Sequence, residues 1–215
     1  MKFLICGLGS TGKRHMGNLE TLGFPCENIL IFRTRKGTAS FGDNVLASHD
    51  HLHPIFYDLN KALAENPDLA FITNPTSLHI PAALEAAKAG CHLLIEKPLS
   101  HTMEQVDELI RIARQKQLAV LVAYNHRFHP LLLQIKKWLE DEKIGKVVMA
   151  HAEMAERVTD YHPWENFKVS YAVRQDLGGG VILGNCHELD FLYWLFGKPK
   201  WIFAAGGELG DLEIG

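Results

Sequence analysis

The chain has 215 residues, 47% of them apolar and 22% charged, with a formal net charge of −3. That length accommodates one large domain or two small ones with ample core, and the charge gives no electrostatic case for nucleic acid as a partner. No apolar run approaches the roughly 18 residues of a membrane helix. The four apolar residues Phe3 to Cys6 are too few for a secretory signal. The four cysteines (Cys6, Cys26, Cys91, Cys186) form no Cys-x-x-Cys pair. Reduced thiols in a cytoplasmic protein are the expectation.

Phe3 to Cys6 reads as a short buried strand, followed at once by Gly7-Leu8-Gly9-Ser10-Thr11-Gly12 and a helix over about 11–22, closed by Gly23 and Pro25. Ile29 to Phe32 is a second strand. Residues 34–54 are the least regular. A short strand is expected over Ile55–Tyr57, then a helix over Asp58–Glu65 with Asp58 as N-cap. Leu69–Thr73, Leu93–Ile95 and Leu118–Ala123 are unbroken apolar strands. Between them lie an alanine-rich helix, Ser77 to Ala89, and a helix opened by the capping box Thr102-Met103-Glu104-Gln105. The latter would place Met103, Val106, Leu109, Ile110 and Ala113 on one face. Strands without alternation, separated by helices, imply a doubly wound parallel sheet covered on both faces, over residues 1–123.

The rhythm changes near Tyr124. An amphipathic helix is expected over His129–Glu142. Lys146 to Glu156 alternates as a strand with one wet face does, which suits an antiparallel sheet. An aromatic-rich loop from Asp160 to Gly180 leads into a helix over about Cys186–Phe196, and Trp201–Ala205 reads as a further strand. Residues 124–215 are therefore assigned to a second α/β domain with an open, largely antiparallel sheet.

The Gly-x-Gly-x-x-Gly run follows a strand and opens a helix, the context in which it marks a dinucleotide site. In a Rossmann unit of this kind Gly7 permits the tight turn, Gly9 lets backbone N–H groups reach a pyrophosphate, and Gly12 lets helix and strand pack. With Ser10 and Thr11 they form the candidate phosphate cradle at the positive end of a helix. A glycine turn without ligand is the alternative. At the end of the second strand, where NAD-binding units offer a carboxylate, the chain has Arg33-Thr34-Arg35. Guanidinium groups suit a 2′-phosphate, so NADP is preferred over NAD, with a solvated basic loop as the other reading. Ligands in such sheets lie at the carboxyl ends of the strands. Three of those ends carry Thr73–His79, Glu96–Pro98 and Tyr124–Pro130. Asn74, Pro75, Thr76, His79, Glu96, Lys97 and Asn125 are the cofactor candidates they supply. A cation at Lys97 can hold a substrate hydroxyl or carbonyl and help move its proton.

His187 is the second catalytic candidate. Asn185 and Glu188 form an expected capping box that puts His187 in the first helical turn, where the dipole favours a neutral ring. His187, Asp190, Phe191 and Trp194 share one face by spacing. A histidine at a helix start also serves purely structural ends. Arg127, Tyr161, Trp164, Tyr171 and Arg174 are candidates to hold a polar, anionic ligand; the rings would otherwise simply pack the loop down. His49, His51 and His53 would share one face of a strand, but no cysteine and only Asp50 and Asp58 accompany them. A solvated loop and no metal is the reading.

Together, "GLGSTGKRH", "TNPTSLH", "EKP", "YNHRFHP" with "IGKV", and "GGGV…HELDFLYWLFG" resemble the glucose–fructose oxidoreductase / inositol dehydrogenase / MocA family, in its order and over nearly the whole chain. The resemblance implies an N-terminal Rossmann domain and a C-terminal α/β domain whose sheet often mediates homo-oligomers. It also implies NAD(P)-dependent oxidation or reduction at a carbinol carbon of a sugar, cyclitol or nucleotide-linked sugar. Lys97 matches the family's catalytic lysine and His187 its active-site histidine. Many members carry Asp four residues before that histidine; here the residue is Leu183. Gly215 falls before members usually end, so the second domain is expected to lack strands, and to self-associate or be loosely ordered after about Met154. The rival expectation is a catalytically silent dinucleotide sensor or scaffold.

Overall fold

In strand β1 (Phe3–Cys6) all four residues are buried, and the two faces of the strand explain why its sequence does not alternate. Leu4 and Cys6 point into one apolar cluster, Phe3 and Ile5 into another, because successive side chains leave a strand on opposite sides. Both sides are covered, so both sets are apolar. The computed structural model describes residues 1–34, 52–161 and 166–207. Arg35, His49, Asp50, His51 and Trp164, and the side chain of Tyr161, lie outside the described residues.

β1 pairs in parallel with β2 (Ile29–Phe32) on one edge. Beyond β2 lies β3 (Ile55–Phe56), and the other edge of β1 continues through β4 (Leu69–Ile72), β5 (His92–Ile95) and β6 (Val120–Val122). Among the described residues this gives one six-stranded parallel sheet in the order β3-β2-β1-β4-β5-β6. The order reverses direction at β1, which is the crevice where doubly wound sheets bind ligands. Helix α1 (Ser10–Thr21) covers one face with Met16 and Leu19. Helices α2 (Leu59–Leu63), α3 (His79–Ala89) and α4 (Val106–Gln115) cover the other with Leu63, Ile80, Ala83, Leu84, Val106, Leu109 and Ile112. Burying each large side chain contributes about 1.5–3 kcal/mol before chain entropy is subtracted. Asp58 caps α2, accepting from the Asn60 and Lys61 N–H groups at 2.9 and 3.4 Å.

Helix α4 departs from expectation. It starts at Val106, after Gln105 with φ +58°, and no side chain caps it. The box at Thr102 does not form, because a turn with Val106 N–H bonded to the Met103 carbonyl intervenes. The buried face is accordingly Val106, Leu109, Ile112 and Ala113, while Met103 and Ile110 are exposed.

After β6 come α5 (Pro130–Glu140), α6 (Val158–Tyr161), α7 (Val181–Gly184) and α8 (His187–Phe196). The strands expected over Lys146–Glu156 and Trp201–Ala205 are absent: both segments run without a ladder partner among the described residues. An alternating segment such as Lys146–Glu156, or a short apolar run such as Trp201–Ala205, becomes a strand only where a neighbouring strand supplies hydrogen bonds and a face is covered. Here Val148 is 92% exposed and Phe203 83%. No described helix is long and apolar enough to cross a membrane.

Candidate active site

The first part of the site is a cradle that only glycine can build. Gly7, at φ +103°, would place a Cβ 2.7 Å from the Asn74 nitrogen. At Gly12 a Cβ would fall 2.1 Å from the Gly7 carbonyl oxygen, so α1 could not lie against the turn. Thr73 pins that turn from β4, its hydroxyl donating to the carbonyls of Cys6 and Gly7 at 3.1 and 2.7 Å. Gly9, by contrast, faces open space, with nothing within 4 Å of its would-be Cβ. No side chain caps α1 at Gly9. The leading N–H groups of the helix, at Ser10, Thr11 and Gly12, are therefore left for an anion. The cradle fits a dinucleotide pyrophosphate.

Behind the cradle the ends of β4 and β5 are tied together. His79 is 2% exposed and sits between two carbonyls, Pro98 O at 2.9 Å from Nδ1 and Asn74 O at 2.9 Å from Nε2. Burial, outweighing the two backbone contacts, holds its ring below the ordinary histidine value. It acts between loops rather than facing a ligand. Asn74 bonds the Leu78 carbonyl through its amide nitrogen, and its Oδ1 is buried with no partner among the described residues. Thr76 is buried, and Gly178 approaches it so closely that a Cβ there would lie 2.9 Å away. Pro75 starts the turn that holds Thr76. Arg33 and Thr34 follow β2 at the carboxyl edge of the sheet.

Glu96 turns toward α1. Its carboxylate lies 2.8 Å from His15 Nε2 and 3.8 Å from Arg14. Burial alone would raise Glu96, but the His15 bond and charge, the Lys97 N–H and Arg14 together hold it below the usual carboxylate range. Next to it, the Lys97 amine donates to the Gly184 carbonyl at 2.7 Å. That bond joins the end of β5 to the turn leading into α8.

His187 is the first residue of α8. The expected box between Asn185 and Glu188 does not form; Cys186 precedes the helix and no side chain caps it. The ring stacks on His126, centroids 4.0 Å apart, and meets Tyr124 edge-on at 6.1 Å. Its Nδ1 is buried without a partner among the described residues. Desolvation first, then His126 and the positive charge of Lys97, push the imidazole down to about 4. The neutral ring foreseen from the helix dipole thus has burial, the neighbouring His126 and the Lys97 charge as its causes. We expect a proton NMR titration of His187 to show a midpoint near 4, well below the ordinary 6.5. His126→Ala should move it upward; a midpoint that stays put would exclude the stack as a cause. Because the folded value is the lower one, the neutral ring's contribution to stability is present above 6.5 and lost as pH falls from there towards 4.

Arg127 is not directed at a ligand. Its guanidinium grips Asp190 through Nε at 2.8 Å and Nη2 at 2.6 Å, and Asp190 is 8% exposed. This bidentate pair fixes α8 one turn beyond His187. The Tyr124 hydroxyl bonds the Cys186 side chain. Arg174 pairs at the surface with Asp176, Nε to Oδ1 at 3.0 Å, Tyr171 is exposed, and so is Asn125. The structure thus adds His15, Tyr124, His126, Cys186 and Asp190 to the site. Spacing had offered only Asp190, as a neighbour of His187 on α8.

Residues 1–124 match the oxidoreductase family with NAD-binding Rossmann fold, and residues 132–213 match the GFO/IDH/MocA C-terminal domain. The chain is 27% identical over 212 residues to a trans-1,2-dihydrobenzene-1,2-diol dehydrogenase of Xenopus tropicalis, covering 95% of this chain and 60% of that protein. It is 25% identical to the myo-inositol 2-dehydrogenase of Thermotoga maritima, covering 100% of this chain and 61% of the relative. Its fold is that of the WlbA dehydrogenase from Bordetella pertussis, solved in complex with NADH and UDP-GlcNAcA. The TM-score is 0.70 at 23% identity, over 92% of this chain and 55% of the other. The chain therefore spans little more than half the length of such proteins. With the cradle, the strand-end residues and the matched segments in agreement, it belongs to the glucose–fructose oxidoreductase / inositol dehydrogenase / MocA family of NAD-binding Rossmann-fold oxidoreductases.

Proposed function

We propose that this chain carries the cofactor cradle and the proton-transfer pair of an NAD(P)-dependent dehydrogenase or reductase acting on a carbinol or keto carbon of a sugar, cyclitol or nucleotide-sugar-like substrate. The observation that supports it most is the meeting of Lys97 and His187. They come from opposite halves of the chain, yet Lys97 holds the carbonyl of Gly184 at 2.7 Å and its charge is felt by the His187 ring. A bound nicotinamide supplies or accepts the hydride. Lys97 would hold the substrate oxygen, and the neutral His187 would take or return the hydroxyl proton through a ring nitrogen. His126 and Tyr124 keep that ring in place and exclude water from one side. The cofactor-binding roles of Gly7, Gly9, Ser10, Thr11, Gly12, Asn74, Pro75, Thr76 and Glu96 belong to the same proposal. Lys97→Ala should cut cofactor turnover by about 100-fold or more while leaving dinucleotide binding in place. Unchanged turnover would remove Lys97 from the mechanism; no turnover by the unmodified chain would favour the silent sensor, a reading helped by Leu183 where a carboxylate is common.

NADP is the preferred nucleotide in this proposal, because Arg33 stands where a ribose-binding carboxylate would exclude a 2′-phosphate. NADPH should bind more tightly than NADH, and Arg33→Ala should remove most of the difference. A charge-assisted contact of this kind is worth about 1.5–3 kcal/mol, or roughly tenfold and upward in affinity. Equal affinities in the unmodified protein would sink the preference.

A further inference from the structure

At the end of the sheet opposite the cradle, three side chains with metal-ligand chemistry meet where β2 and β3 begin. Glu20 lies in the last turn of α1, Cys26 opens the short turn Cys26–Asn28 that leads into β2, and His53 stands two residues before β3. The expectation of a solvated histidine is corrected here: the His53 side chain is 0% exposed. Its Nδ1 lies 3.1 Å from the Cys26 carbonyl oxygen, and its Nε2 lies 2.8 Å from a Glu20 carboxylate oxygen. A carbonyl only accepts, so Nδ1 carries a proton. Nε2 then meets Glu20 with a second proton or with a lone pair, and a lone pair beside a carboxylate calls for a cation between them. The Cys26 sulfur completes the group, the three donor atoms all lying within 4.8 Å of one another.

We infer that Glu20, Cys26 and His53 bind a zinc-class divalent metal ion. One sulfur, one imidazole nitrogen and one carboxylate oxygen suit zinc, whereas calcium and magnesium favour sites built of oxygen alone. A ring nitrogen donating to a backbone carbonyl is the outer contact that orients metal-bound histidines, and Nδ1 already makes it. Donor atoms around tetrahedral zinc stand roughly 3.3–3.6 Å apart by the usual bond lengths. Glu20 therefore needs to swing outward by about half an ångström, which its partly exposed side chain allows, and the Cys26 sulfur, within 4.8 Å of the other two donors, to close in on the ion. Water takes the fourth position. A metal here is structural, since the phosphate cradle lies at the other end of the strands. It clips the end of α1 and the entry to β2 onto the two-residue edge strand β3, whose register among the described residues is Ile31 against Ile55 and Phe32 against Phe56.

The test uses the full, tag-free, reduced chain titrated with Co²⁺ and Zn²⁺. One Co²⁺ per chain should bind with a thiolate-to-cobalt charge-transfer band, and Zn²⁺ should displace it. Cys26 is the one cysteine of the four that is not buried, so a thiol-alkylating reagent should modify one site on the native protein and zinc should protect it. Cys26→Ser should abolish the band, and both Cys26→Ser and Glu20→Gln should weaken zinc binding at least about tenfold. These two variants leave the buried His53 ring in place, so loss of folding does not confound them. No charge-transfer band, no protection of the thiol, or zinc affinity unchanged in both variants would overturn the site and leave a plain histidine–carboxylate pair.

Discussion

Gly9→Ala and Gly12→Ala are expected to give opposite combinations of stability and binding. At Gly12 the new methyl would sit 2.1 Å from a backbone carbonyl oxygen and 3.0 Å from the Thr73 hydroxyl, with neither able to retreat. Thr73 is itself bonded to the Gly7 carbonyl, so relief means lifting α1 off β1 and loosening Met16 and Leu19. Overpacking of this kind costs about 1–3 kcal/mol even where flexible side chains give way, and here the obstacle is main chain. Gly12→Ala should lower the melting temperature by several degrees and lose dinucleotide binding with it. Gly9 has φ −75° and open space around its Cβ position, so alanine fits the apo protein. The methyl would occupy the place a pyrophosphate must approach, so the melting temperature should hold while affinity for NADH or NADPH falls at least about tenfold. Thermal unfolding paired with a fluorescence titration separates the two. Full affinity in Gly9→Ala would mean that the phosphates do not lie against this turn.

Loss of His79 should be the most damaging single truncation outside the apolar core. The ring is almost wholly buried and touches the carbonyls of Asn74 and Pro98. His79→Ala leaves a cavity between the loops that follow β4 and β5, and strips its partner from whichever of the two carbonyls accepts the neutral ring's single N–H. The two losses together should destabilise by about 3–4 kcal/mol. Chemical denaturation would measure it, and a loss under about 1 kcal/mol would contradict the bridging role. The pH dependence gives an independent check. His79 titrates below 6.5 when folded, so the unfolded chain takes up its proton first. The stability of the neutral ring is complete above 6.5 and declines as pH falls through that value towards the lower folded one. The unmodified protein should show that acid-side decline more steeply than His79→Ala.

The sheet was legible because strands buried on both faces leave unbroken apolar runs, and each such run in the first half became a strand within one or two residues, the edge strand β6 included although Val120 and Leu121 are exposed. The cradle was legible because its glycines answer to local geometry. Helix starts were less so: at α4 and α8 the residues of a capping box are present, but the chain turns elsewhere first. Lys146–Glu156, which alternates like a strand, and the apolar run Trp201–Ala205 show the limit of pattern reading, which says nothing about whether a partner strand stands alongside. Most hidden were the long-range polar pairs. Arg127 and Asp190 are 63 residues apart, His15 and Glu96 81. Nothing local marks either pair, so Arg127 could be read as a ligand contact when it serves α8.

The bond from Lys97 to Gly184 and the grip of Arg127 on Asp190 have a mechanical consequence. The two proposed proton carriers ride on different elements, one at the end of β5 and one on α8, and these polar links help to set their separation. A hinge motion that broke them would disarm the pair without disturbing the Rossmann core. A ligand touching both Lys97 and His187 would act as a third link, so its binding energy would appear in part as slower opening. Hydrogen exchange in residues 181–196 should then slow in the presence of substrate, while exchange in β1 and β4, already protected by the sheet, should not respond.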